Sequence, residues 1–388
     1  MNGIMQKDNE YVAHTYGRFP VAFVRGKGAV LEDTDGKRYI DLGSGIAVNI
    51  FGICDEAWQN AVTEQIRTLQ HTSNLYYSEP CGKLAELLCR KTGMKKVFFG
   101  NSGAEANECA IKAARLYSYN KYGEGRHTII TLRNSFHGRT IATLAATGQD
   151  SFHTKFGPFP EGFVYCEPDN TEDLKRLIRE NRCCAVMFEL VQGEGGIHVL
   201  SQEFVKTIEK LARENDLLLI TDEVQTGNGR TGTLYAYMQY GIHPDIVTTA
   251  KGIGGGLPIG IAMLGEKLRE VFTPGTHGST FGGNPVCCAG AYDILKRIDE
   301  TLLASVREKG AYIRGELESA KGVKSVSGLG LMIGIETQRP AADVIRDAME
   351  RGVLVLGAKT KVRLLPPLNI TMEALKEAVG ILKEVIAK

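Results

Sequence analysis

The residue most suited to covalent chemistry is a lysine at the end of an apolar run. Asp245-Ile246-Val247-Thr248-Thr249-Ala250 reads as a short buried strand, since β-branched residues bounded by Pro and Gly favour extended backbone. Lys251 follows at once, and then Gly252-Ile253-Gly254-Gly255-Gly256-Leu257-Pro258, whose glycines let a large planar ligand approach the backbone. Three further apolar runs stop at polar groups. Cys184–Phe188 ends in Glu189-Leu190-Val191-Gln192-Gly193-Glu194, Leu217–Thr221 ends in Asp222-Glu223, and Lys96–Gly100 runs into Asn101-Ser102-Gly103-Ala104-Glu105. Singly, Asp222 and Ser102 could each be a helix cap and Lys251 a solvated loop lysine. Four such ends together argue for one site at the carboxyl edge of a sheet.

Ser102 with Glu105 three residues on fits a capping box, with helical spacing continuing through Cys109, Ala113, Leu116 and Tyr117. Such a helix start offers free N–H groups and a positive dipole end to an anion, typically phosphate. After the strand Thr128–Leu132, the loop Phe136-His137-Gly138-Arg139-Thr140 carries an aromatic and an arginine three residues apart. Several chemistries are excluded by spacing. There is no G-x-x-x-x-G-K-[ST], Leu257 stands where a dinucleotide fingerprint wants its third glycine, and neither H-E-x-x-H nor G-x-S-x-G occurs. No clustered His/Cys set supports a metal site. A lysine, an aspartate, an aromatic, a phosphate-binding helix start and arginines fit a lysine Schiff base to pyridoxal phosphate. Lys251 would hold the cofactor and shuttle the proton, and Asp222 would keep the ring nitrogen protonated. The amides of Ser102, Gly103 and Ala104 would take the phosphate, and Phe136 would stack on the ring.

The elements that must position these residues alternate. Strand candidates are interleaved with amphipathic helices, such as the one with Leu174, Leu177 and Ile178 inward and the one with Phe204, Ile208, Leu211 and Ala212 on one side. Trp58, Val62, Ile66 and Leu69 likewise share a helical face. This pattern predicts an α/β protein with a mostly parallel sheet. Near the start, Asp35-Gly36 between apolar stretches reads as a hairpin turn. Beyond about residue 262 the texture changes to a polar, glycine-rich loop, a helix, short strands at 330–336 and 362–365, and a last amphipathic helix. That reads as a smaller α+β domain. The 388 residues suffice for two domains, and a net charge of +1 gives no electrostatic case for nucleic acid or an anionic membrane. No apolar run is long enough to span a bilayer, and the polar start is unlike a signal peptide. Nine cysteines without a C-x-x-C spacing point to a reduced, cytoplasmic setting.

Six stretches, in order and nearly end to end, resemble the class III pyridoxal-phosphate aminotransferases. They are Asn101–Glu108, Phe136-His137-Gly138-Arg139-Thr140, Glu189–Gly195, Asp222-Glu223-Val224-Gln225-Thr226-Gly227, Thr249-Ala250-Lys251-Gly252 and Gly278–Pro285. The resemblance implies the type I aminotransferase fold, with residues 1–50 packing with the small domain, 51–270 as the large cofactor-binding domain and 271–388 as the C-terminal small domain. It implies a homodimer with shared active sites. Lys251 would then be the Schiff-base lysine and Asp222 the partner of the ring nitrogen, with Gln225 near the cofactor's phenolic oxygen. Thr280, with Ser279 beside it, would reach the phosphate of the partner subunit's cofactor. Arg139 would hold the α-carboxylate of the amino donor and Arg363 a carboxylate of 2-oxoglutarate. Glu194 would mask Arg363 when a basic substrate binds, with Glu189 on the same side. Ser44–Asn49 and His71–Tyr77 are similar to the members that act on N-acetylornithine. Members acting on succinylornithine, succinyl-diaminopimelate, ornithine or 4-aminobutyrate are alternatives, as is a non-catalytic cofactor-binding relative. Gly52-Ile53-Cys54-Asp55-Glu56 departs from the family's Gly-His-x-His-Pro, which implies a possible shift in substrate preference.

Overall fold

The computed structural model describes residues 3–388. The chain enters through β1 (Phe23–Lys27), β2 (Val30–Asp33) and β3 (Arg38–Asp41), which pair antiparallel in succession. Asp35-Gly36 turns β2 into β3 as the sequence predicts. Gly36 takes the left-handed φ of 80°, and Asp33 Oδ1 accepts the amides of Asp35 and Lys37 at 2.9 Å.

The central sheet is built from β4 (Lys96–Gly100), β5 (Thr128–Leu132), β6 (Phe163–Cys166), β7 (Cys183–Phe188), β10 (Leu218–Asp222), β11 (Ile246–Thr249) and β12 (Gly260–Leu264). Between them β8 (Val191–Gln192) and β9 (His198–Val199) form a separate short antiparallel pair. The strand order is β4-β12-β11-β10-β7-β5-β6. Six strands run parallel and β12 alone runs against its neighbours β4 and β11. Every residue of β7, β10, β11 and β12 is buried, because helices cover both faces. The sequence pattern does not single out β12. Its run Gly260-Ile261-Ala262-Met263-Leu264 is apolar throughout and has no alternation to reveal it.

Side-chain caps start the flanking helices. Asn170 accepts from the Asp173 amide, Ser201 from that of Phe204, and Asn284 from those of Val286 and Cys287. The helix Gln202–Glu214 turns Phe204, Val205, Ile208 and Ala212 into the core. On the helix Glu56–Thr68 the predicted apolar face is only partly covered, with Ile66 and Leu69 exposed.

The chain closes with β13 (Val323–Leu329), β14 (Met332–Thr337), β15 (Val353–Leu354), β16 (Leu356–Ala358), β17 (Lys361–Leu364) and the helix Met372–Ile386. β13, β14, β17 and β16 form an antiparallel sheet, while β15 crosses to pair in parallel with β3. The two chain ends thus share one sheet. Arg363 projects from β17, and the β8–β9 turn reaches it through Glu194.

Candidate active site

A cavity of about 460 Å³ opens at the carboxyl ends of the parallel strands. Ser102–Ala104, Phe136, Arg139, Glu189, Glu194, Asp222, Gln225 and Lys251 all line it. Lys251 begins a short 3₁₀ turn directly after β11 and holds a φ of 48°, a strained conformation for a non-glycine residue. Burial pushes its amine below the ordinary lysine value, and Arg363 adds to the effect. Asp222, Glu194 and Glu189 pull the other way.

Asp222 ends β10 and is 3% exposed. Its Oδ1 accepts the Val224 amide at 3.0 Å, so it does serve as a turn cap. Its Oδ2 takes Asn107 Nδ2 and His137 Nδ1, each at 2.8 Å. Asn107 is itself fixed, because Thr248 Oγ1 donates to its Oδ1 at 2.7 Å and its Nδ2 also reaches the His137 carbonyl at 2.7 Å. Asn107 and His137 stand within the family-like stretches Asn101–Glu108 and Phe136–Thr140, where the sequence alone assigns them no task. The available signal is that both are polar residues on an otherwise apolar or glycine-rich surface.

Glu223, next in sequence, turns away from the cavity. It accepts from Thr226 Oγ1 and from the amides of Ala236 and Tyr237, so it caps the helix Ala236–Tyr240.

The helix Gly103–Tyr122 starts as the capping-box pattern predicts on one side only. Ser102 Oγ accepts the Glu105 amide at 3.2 Å, but the Glu105 carboxylate takes the amide of Asn101 rather than that of Ser102. A Cβ at Gly103 would lie 2.8 Å from Val224, and one at Gly138 would lie 2.9 Å from the Ala104 Cβ. Small residues therefore keep the Ser102–Ala104 amides open to the cavity.

Phe136 lies against Phe152, with ring centroids 6.0 Å apart, and the exposed Arg139 guanidinium sits 4.3 Å from the Phe152 centroid. Ser44, Gly45, Ile46 and Ala47 form a left-handed turn, with φ between 49° and 65°. It delivers Val48 to the cavity wall.

Glu194 and Arg363 are joined, Nη1 to Oε1 at 2.5 Å and Nη2 to Oε2 at 3.4 Å. Burial alone would raise Glu194, but Arg363, then Lys251 and Gln225, hold it below its ordinary value. Gln225 is engaged by this pair. Ser279 and Thr280 do not line this chain's cavity. Ser279 Oγ accepts from Asn101 Nδ2 at 3.1 Å, and Thr280 is exposed. Gly52–Asp55 line a separate cavity of about 220 Å³. There Asp55 caps the helix Glu56–Thr68 and pairs with Arg297 at 2.7 Å.

A sequence profile of the Aminotransferase class-III family matches residues 11–386. The chain belongs to that family, whose members are pyridoxal phosphate-dependent. It is 50% identical to the acetylornithine aminotransferase of Haemophilus ducreyi over 99% of this chain and 98% of that protein. A crystal structure of N-acetylornithine aminotransferase from Stenotrophomonas maltophilia K279a superposes with a TM-score of 0.86 at 34% identity, covering 99% of this chain and 98% of that one. The ornithine aminotransferase of Toxoplasma gondii, with partial occupancy of PLP at its active site, superposes at 0.94 with 31% identity, covering 99% and 94%. The residues here fit that cofactor. Lys251 shares the cavity with Asp222, whose three donors leave acceptor capacity for one more, and the long helix Gly103–Tyr122 starts at the same cavity.

Glu189 is buried, and its oxygens accept the amides of Phe136 at 2.9 Å and Gly193 at 3.2 Å. Burial, with Asp222 nearby, pushes its carboxyl up to about 7 against the pull of His137 and the two amides. The folded value exceeds the unfolded one, so the associated stability is complete below about pH 4.5 and is lost as pH rises to about 7. Glu189→Gln should flatten the fall in stability between those limits by up to about 1.4 kcal/mol per pH unit, read from denaturant unfolding at several pH values. An unchanged slope would contradict the assignment.

Proposed function

We propose that this chain transfers the side-chain amine of N2-acetyl-L-ornithine to 2-oxoglutarate, yielding N-acetyl-L-glutamate 5-semialdehyde and L-glutamate in arginine biosynthesis. The observation that carries the reading is Arg363, buried behind the cavity-lining Glu194 and Gln225 and paired with Glu194. One cavity can then serve two unlike substrates. A donor meets a neutralised arginine, while a dicarboxylate takes the place of Glu194. The likeness to acetylornithine aminotransferases supports the choice of donor.

When bound, pyridoxal phosphate supplies an electron-withdrawing ring that accepts an amine from one substrate and gives it to the next. The protein's part follows from its own groups. Lys251 Nζ would hold the cofactor and, when released, carry a proton. Its lowered pKa favours the neutral amine that can accept one. Asp222, fixed by Asn107, His137 and Val224, would keep a proton on the ring nitrogen. The Ser102, Gly103 and Ala104 amides would receive the phosphate, and Phe136 would cover the ring. Arg139, which pairs with no acid among the described residues, would take the donor's α-carboxylate. Nine free cysteines support a cytoplasmic location.

The donor is tested by timing loss of the bound cofactor's absorbance band with N-acetylornithine, succinylornithine, ornithine and 4-aminobutyrate in turn. N-acetylornithine should act fastest, 2-oxoglutarate should restore the band, and Lys251→Ala should transfer no amine. A faster reaction with another donor overturns the substrate assignment.

We further propose a homodimer with shared sites. Leu75 (86% exposed), Tyr76 (71%) and Phe281 (61%) lie on one surface, where Asn74 Nδ2 ties the carbonyls of Ser279 and Gly282. Thr280 sits there, outside its own chain's cavity. Thr280→Ala should weaken cofactor retention about tenfold. Mixing Thr280→Ala with Lys251→Ala subunits should restore one native site per dimer. A monomer, or no restoration, contradicts this.

A further inference from the structure

The Glu194–Arg363 pair has a third member. Gln225 is buried, and its amide touches both partners at once. Its Nε2 donates to Glu194 Oε1 at 3.3 Å, and its Oε1 accepts Arg363 Nη1 at 3.2 Å. The backbone is shaped to admit this amide, since a Cβ on Gly193 would stand 2.6 Å from Gln225 Cδ. The two charged partners differ in freedom. The Arg363 side chain is 4% exposed and fixed in β17. Glu194 is 32% exposed, on a turn with Gly193 before it and Gly195-Gly196 after it. Glu194 is the part that can swing.

We propose that Gln225 is the latch of this gate, a positioning residue that sets how readily Glu194 leaves Arg363 and hence how the site divides between donor and dicarboxylate. The inference rests on the reading of Glu194 as a mask given above. The bond from Gln225 to Arg363 is available with Glu194 in or out, so it cancels in the comparison. The bond to Glu194 exists only with the gate shut. Removing it favours the open gate by the net worth of one ordinary, long hydrogen bond, about three- to tenfold in population.

The test uses the cofactor-loaded enzyme and glutarate, an unreactive dicarboxylate, with Kd read by calorimetry. Glu194→Gln should bind glutarate more tightly than wild type. Gln225→Met, similar in volume but without the amide, should tighten glutarate about three- to tenfold while lowering kcat/KM of the N-acetylornithine half-reaction. Gly193→Ala, whose methyl would push the Gln225 amide aside while removing no polar group of the site, should act in the same direction. Opposed changes for the two ligands distinguish a latch from general loosening, which weakens both. Tighter glutarate binding in Glu194→Gln but not in Gln225→Met would overturn the latch alone. No change in Glu194→Gln would overturn the masking and the latch together.

Discussion

A carboxylate at the end of a central strand, shut away from water, is the constraint around which the site is arranged. Burying such a charge costs several kcal/mol unless donors replace its hydration. Asp222 receives three, from the helix Gly103–Tyr122 (Asn107), the loop after β5 (His137) and its own following turn (Val224). Satisfying one carboxylate therefore fixes the mutual placement of three elements. The same helix also presents the Ser102–Ala104 amides, and the same loop carries Phe136 and Arg139. The two ends of a bound cofactor would thus be registered by one set of hydrogen bonds. Among the described residues His137 Nε2 has no hydrogen-bond partner, and the ring's Nδ1 is engaged by Asp222.

Around that anchor the charges alternate. Lys251 lies among Asp222, Glu189 and Glu194, and Glu194 in turn neutralises Arg363. In a low-dielectric cavity such balance is required before any substrate arrives. It also explains how one site can take substrates of different charge. On the proposed reading, Glu194 on its glycine-flanked turn would be exchanged for a substrate carboxylate without leaving Arg363 bare.

Much of this is legible in the sequence because strand ends advertise themselves. Uninterrupted apolar runs stopping at Ser102, Glu189, Asp222 and Lys251 reveal both the parallel sheet and its functional edge. What stays hidden is direction and pairing. Asp222 and Glu223 look equivalent in the sequence, yet alternation sends one to the cavity and the other to a helix start. The antiparallel β12 carries no periodic signal. Gln225 reads as a cofactor neighbour by resemblance, and the sequence does not show that its amide also bonds residues 31 positions before it and 138 after it. The Asp55 cap on the helix Glu56–Thr68 is likewise not singled out by the sequence pattern.

The central claim is that Asp222, held by its three donors, keeps a proton on the ring nitrogen of bound pyridoxal phosphate. The most direct measurement is the nitrogen-15 chemical shift of that ring nitrogen, labelled, in wild type and in Asp222→Asn. The account predicts a protonated nitrogen in the wild type across neutral pH and an unprotonated one in the variant. The same shift in both proteins would contradict it.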